Sequence, residues 1–190
     1  MSEFAAQRPA TAPGKVGWEV RPARERDATA VAAAVAALVA ELGGSPPGRA
    51  AIEREARAHI GDPSLGIVLV AATTLDPELS SQKASDSEAN CERTGAGELV
   101  GALTASWARA IQVAGRLLTI EVLWTRREWR DRGVGAALVE ALAAAAAAEG
   151  AGRVEVGLPR ESFTALRATE RFYLANGFER LGPRMRRSVP

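Results

Sequence analysis

Three features of the sequence predict an α/β fold of the α+β kind, with a mixed, mostly antiparallel central sheet and helices on both faces. Alternating or β-branched apolar runs, such as WEVRP at 18–22 and LGIVLVAATT at 65–74, have the period and composition of strands. Alanine-rich stretches at 28–42 and 134–149 place Val and Leu three and four residues apart, the period of helices that lie on a sheet. Clusters of glycine, proline and polar residues separate the two kinds of segment. A chain of 190 residues fits one domain with a sizeable core.

Taken in order, residues 1–16 are rich in Pro, Ala, Gly and polar residues without period, and read as a disordered N-terminal tail ahead of a single domain at 17–190. The first strand is 18–22. Asp27 then stands where it can cap a helix to about Leu42, with Val31, Val35, Leu38, Val39 and Leu42 on one face and Gly43-Gly44 to stop it. A more polar helix follows over 49–60. Its His59 reads as a surface or capping imidazole near the last carbonyls, since no motif supplies a Ser, Cys or Asp partner for catalysis.

The runs 65–74 and 98–110 read as paired strands. Between them, 75–97 is so poor in apolar residues and so long for a hairpin connection that a disordered insertion is expected. After a turn at 111–116 comes LLTIEVLWT, an apolar strand at 117–125, then RREWRDRGVGA, then a helix from about Val134 to Glu149. A strand follows at 153–158. Ser162 or Thr164 can cap the next helix, which carries Leu166, Phe172, Tyr173 and Leu174 up to Gly177. Residues 178–181 and 184–189 read as a closing pair of strands. The predicted order is therefore strand, two helices, three strands, helix, strand, helix, two strands.

The turn at 126–136 carries the chemistry. A strand that empties into glycines at a helix start gathers unpaired N–H groups and the positive end of a helix dipole, which suits phosphate. Arg126, Arg127, Arg130 and Arg132 add fixed charge, and guanidinium forks match phosphate oxygens. By itself Arg130-x-x-Gly133-x-Gly135 is equally compatible with an arginine-rich turn capping an alanine helix.

Further on stands Tyr173-Leu-Ala-Asn-Gly177-Phe178. Strand, R-x-x-G-x-G turn, helix, strand and a helix ending Y-x-x-x-G-F together resemble the GCN5-related N-acetyltransferase (GNAT) family over 117–180, and more loosely upstream. The resemblance implies an acetyl-CoA-dependent N-acetyltransferase acting on a primary amine by direct attack in a ternary complex. It implies that the pyrophosphate rests on Arg130, Asp131, Arg132, Gly133, Val134, Gly135 and Ala136. The backbone groups of Leu123, Trp124 and Thr125 would hold the pantetheine arm and polarise the acetyl carbonyl; the Trp124 ring reads as a core aromatic.

The family uses the tyrosine of this motif as the proton donor to the departing thiolate. A phenol near its reference pKa of about 10 is protonated at neutral pH and suits that task, although an amphipathic core tyrosine would look the same. Many members place a glutamate where Glu121 stands, as a base acting on the incoming ammonium through water; an exposed strand carboxylate paired with an arginine is the other reading.

Three departures matter. Members often have proline at the position of Arg127, glycine at that of Asp131, and asparagine seven residues before the tyrosine, where Leu166 stands. A non-catalytic acyl-CoA-binding or interaction module is therefore the alternative. An NTP-binding domain is disfavoured because no lysine follows the glycines.

Net charge is +1, with 24 basic and 23 acidic side chains, so no general field argues for nucleic acid. Single Cys and His residues exclude an internal disulfide and argue against a metal site. The N-terminus lacks a secretory pattern and no run is apolar enough to span a bilayer, so a cytoplasmic protein without a membrane partner is expected. The partner is a small-molecule or peptide amine, sought near 43–49 and 182–186; a homodimer is implied by resemblance alone.

Overall fold

The computed structural model describes residues 17–74 and 97–182. The expected tail, the bulk of the expected insertion and the run 184–189 lie outside them. Five strands form one open sheet in chain order: β1 (Trp18–Pro22), β2 (Gly66–Thr73), β3 (Leu99–Ala110), β4 (Gly115–Thr125) and β5 (Arg153–Val156). The first three pairings are antiparallel and β4–β5 is parallel. Four helices complete the fold: α1 (Ala28–Glu41), α2 (Arg49–Gly61), α3 (Val134–Ala148) and α4 (Leu166–Ala175). Among the described residues no helix is long and apolar enough to cross a membrane.

Alternation along the strands divides the core. Leu69, Ala71, Leu103, Ala105, Leu118 and Ile120 face α3, which buries Val134, Leu138, Val139, Leu142 and Ala146 against them. Val68 and Val70 face the other way, onto Ala28, Val31 and Ala56 of α1 and α2. Each fully covered Leu contributes about 1.5–3 kcal/mol, so α3, with two of them, is the anchor of its layer. It lies close to the sheet because β3 has glycine beneath it: a Cβ on Gly101 would stand 2.7 Å from Val134 Cγ1 and 3.0 Å from Leu138 Cδ1.

Local expectations were corrected at three points. Asp27 does not cap α1; its carboxylate accepts the Arg24 amide at 2.7 Å and both Arg21 nitrogens at 2.7 and 3.0 Å, tying β1 to a 3-10 turn at Glu25–Asp27. Burial pushes this carboxyl up, but the Arg21 bonds, the Arg24 amide and nearby cations outweigh it and hold it below the usual range. Neither Ser162 nor Thr164 caps α4, which begins after Ala165 without a side-chain cap. Residues 178–182 follow Gly177, at φ +82°, as irregular chain rather than a strand, so the sheet has five described strands where seven were expected. In the run FERLG the apolar Phe178 and Leu181 stand three apart with two charged residues between them, so it lacks the period of two that a half-buried strand needs.

Candidate active site

The site is built where β4 and β5 part. β5 pairs only with 117–120, Ile120 opposite Val156, and the chain then turns off through Gly157 and Pro159, the latter without an N–H to continue the ladder. The end of β4 runs on alone on that side. A cleft of about 540 Å³ opens in the split, walled by β4, the start of α3, one side of α4 and the end of α1.

The ladder on the other side of β4 determines which backbone groups face the cleft. The Arg126 amide donates to the Val100 carbonyl at 2.9 Å. In an antiparallel pair hydrogen-bonded positions alternate, so Trp124 opposite Ala102 is spent on β3, whereas Leu123 and Thr125 direct N–H and C=O into the split. Arg130 Nε donates to the Thr125 carbonyl from that side at 3.2 Å. The expected backbone trio is thus a pair. Trp124 is not a core aromatic either: half-buried, its residue lines the cleft.

Glu121 sits at a β-bulge. Thr104 pairs with Val122 and Ala105 with Ile120, which leaves Glu121 as the extra residue of β4. The bulge re-aims the strand where the sheet splits; Glu121 is exposed and lines the cleft. None of the described ion pairs involves it, so the reading of Glu121 as an arginine-paired surface carboxylate finds no support among the described residues.

The turn into α3 is a row of free donors. Ala137 is the first amide of the helix to find an acceptor, the Gly133 carbonyl at 3.0 Å; among the described residues the amides of Asp131 through Ala136 find none. Asp131 at φ +59° and Gly133 at φ +80° curl the backbone so that these N–H groups converge. Asp tolerates the left-handed region better than most side chains, which accounts for its presence where related chains often have glycine. Gly133 serves conformation, since a Cβ there would meet nothing within 4 Å. Gly135 serves proximity, its Cβ position being 3.3 Å from the Phe172 ring of α4. Asp131, Gly133, Val134, Gly135 and Ala136 line the cleft together with Arg130.

Tyr173 is 7% exposed and lines the cleft from α4, its ring held edge-on between Phe172 and Phe178, each with centroids at 5.2 Å. Burial pushes the phenol up to about 12. It is a weaker acid than the reference value suggested, and it keeps its proton throughout the neutral range. The Asn176 side chain donates to the Phe172 carbonyl at 2.7 Å and the Phe178 amide to the Tyr173 carbonyl at 3.1 Å, fixing the end of α4 that carries the phenol.

The arginines divide in a way the sequence did not foretell. Arg130 Nη2 meets Glu41 of α1 at 2.7 Å, Arg126 is ion-paired with Glu98, and Arg132 lies over the Trp129 ring at 5.1 Å. Arg132 is not among the residues that line the cleft, so no part for its side chain in an anion site is seen there. Of the expected acceptor segments, 43–49 stands just beyond Leu38, Glu41 and Leu42, which do line the cleft, and 183–186 lies outside the described residues.

His59 is elsewhere. Its Nδ1 donates to the Glu55 carbonyl at 3.0 Å, so Nε2 is left to accept from Ser106 at a long 3.4 Å. Sequence reasoning missed Ser106, which β3 brings under α2 from 47 residues away. Neither residue lines the cleft, and the contact ties helix to sheet. Among the described residues no group of three or more His, Cys, Asp or Glu side chains can hold a metal.

Residues 89–180 match the family described as the acetyltransferase (GNAT) domain. A search of curated proteins found no match. Among solved structures, the chain is similar to a "possible acetyltransferase" of Clostridium difficile 630, at 15% identity and TM-score 0.68 over 93% of this chain and 99% of that one. It is also similar to a ribosomal-protein-alanine N-acetyltransferase of Brucella melitensis biovar Abortus 2308, at 15% identity and TM-score 0.61 over 92% and 100%. An aminoglycoside acetyltransferase from an uncultured soil metagenomic sample aligns at 18% identity and TM-score 0.63 over 92% and 99%. At these identities the likeness is one of fold.

Proposed function

We propose, from the match of residues 89–180 to the acetyltransferase (GNAT) domain family, that the protein transfers an acetyl group from acetyl-CoA to a primary amine by direct attack in a ternary complex. The observation that carries this reading is the row of unpaired amides from Asp131 to Ala136, whose residues, Arg132 apart, line the same cleft as Tyr173. Such a row at a helix start, with the dipole behind it, is suited to a diphosphate, and it costs nothing to reorganise.

The residues divide the work as follows. Amides 132–136 take the diphosphate, with Arg130 beside them. Leu123 and Thr125 offer backbone partners to the pantetheine amides, and the Leu123 N–H draws charge from the acetyl carbonyl as the amine adds. Glu121 accepts a proton from the ammonium through water, since only the neutral amine attacks. Tyr173 donates a hydrogen bond to the sulfur as the C–S bond breaks. With its pKa raised to about 12, against about 8.5 for a reference thiol, full proton release from the phenol to the thiolate would run uphill. The phenol therefore lowers the charge on sulfur by hydrogen bonding, and the thiolate takes its proton from the amine or from solvent.

The test is to titrate CoA into the full chain by calorimetry and to follow thiol release from acetyl-CoA with a panel of primary amines. Saturable heat and amine-dependent release are expected. Heat without release from any amine would leave a non-catalytic acyl-CoA-binding module, and neither signal would remove the reading altogether.

A further inference from the structure

The α1 side of the β4 end carries a feature that reaches beyond the diphosphate site. Trp124 and Arg126, two apart on β4, project to the sheet face opposite α3, where α1 ends. There a recess of about 570 Å³ is lined by Glu41, Trp124, Arg126, Arg127, Glu128 and Arg130. Glu41, Trp124 and Arg130 wall the main cleft as well, so the two spaces adjoin.

The charges of this recess are poised for exchange. Arg126 and Arg130 are held by Glu98 and Glu41 in exposed pairs, which are worth about 0–1 kcal/mol and give way readily to a better anion. Arg127 is exposed and has no ion-pair partner among the described residues. Two guanidinium groups, Arg126 and Arg127, beside an indole, with Arg130 standing between this recess and the diphosphate amides, suit an anion joined to an apolar spacer.

We infer, on the premise of the acetyl-transfer reading above, that the acceptor is an amine which also bears a carboxylate or phosphate, and that Arg127, flanked by Arg126, grips this anionic end while the spacer lies along Trp124. From Leu123, whose amide faces the acetyl carbonyl, to Arg126 is three residues of strand, on the order of 10 Å. The amine and the anion are accordingly several bonds apart rather than on one carbon.

The experiment compares aminohexanoate and aminopentyl phosphate with the neutral aminohexanamide as acceptors for the full chain, in the parent and in R127A. The anionic amines are expected to be preferred in kcat/KM, and the preference to fall about tenfold in R127A through KM, as loss of a charge-assisted pair predicts. R109A, an exposed arginine at the far end of β3, leaves the preference intact. An unchanged preference in R127A, or equal use of the neutral amine by the parent, overturns the inference.

A second arm separates the other source of the same chemistry. If R127A weakens binding of CoA but not of dephospho-CoA, the arginine serves the nucleotide's own phosphate and the inference is wrong. If no amine supports thiol release, the transfer reading fails on its own. The anion site is then read by calorimetric binding of aminopentyl phosphate to the CoA-saturated chain, which R127A must abolish for the site to stand.

Discussion

The two sides of the β4 end are built from different materials. On the α3 side the chain presents backbone: amides 131–136, the Leu123 and Thr125 peptides, and one phenol behind them. On the α1 side it presents long charged side chains, Arg126, Arg127, Arg130 and Glu41, over an indole. A backbone cradle depends on a few dihedral angles and close approaches and tolerates little change. A rim of exposed side chains can be rewritten residue by residue while the fold stays intact. The division matches a site in which one substrate is constant and the other varies.

The sharpest way to break the cradle side is at its phenol. Tyr173→Phe keeps the ring contacts with Phe172 and Phe178 and removes only the hydroxyl. Steady-state kinetics should show kcat lower by about 100-fold, in the range for loss of one hydrogen-bond donor to a developing charge, with CoA affinity by calorimetry little altered. A kcat within about threefold of the parent would exclude the phenol from the transfer step.

The same side chain gives the fold an alkaline limit. Burial raises the phenol from 10.0 to about 12, so the folded state holds this proton more tightly than the unfolded chain does. That contribution is complete below pH 10 and is lost as pH rises towards 12. The loss across that window is roughly 2–3 kcal/mol. Urea unfolding at pH 8 and pH 11 should show the parent losing stability on the alkaline side and Tyr173→Phe losing distinctly less.

Gly133→Ala probes the turn itself. At φ +80° an alanine meets no steric contact but sits in the left-handed region, at a cost of about 1 kcal/mol. Chemical denaturation should show that loss, and CoA affinity should fall with it as the amides lose their convergence. An unchanged CoA affinity would remove Gly133 from the anion cradle.

What the sequence revealed follows the same division. Glycine at 133 and 135 is legible because only a special φ or a close neighbour needs it, and Tyr173 is legible because it stands at fixed spacing from Gly177-Phe178. The bulge at Glu121 was not legible, since the polar residues of LLTIEVLWT, Thr119, Glu121 and Thr125, all stand at odd positions and keep a strand's period of two across the extra residue. The pairing of Arg130 with Glu41 joins residues 89 apart, and that of Arg126 with Glu98 joins residues 28 apart, contacts made by the fold rather than by a local pattern. Asp27 shows the same override in reverse: a plausible local cap was taken by Arg21, a partner from the neighbouring strand.

The smallest effect belongs to the rim. Glu41→Gln removes the carboxylate that Arg130 holds at 2.7 Å, but both side chains are well exposed, and pairs of this kind contribute about 0.5 kcal/mol or less once side-chain ordering and salt are counted. Thermal or urea midpoints should therefore barely move. Function should respond more than stability, because the freed guanidinium also donates to the Thr125 carbonyl and borders the diphosphate amides. CoA should bind somewhat more tightly to Glu41→Gln, and the gain should fade as salt is raised, whereas a loss of stability comparable with that of Gly133→Ala would mean that the rim, like the cradle, is part of what holds the fold.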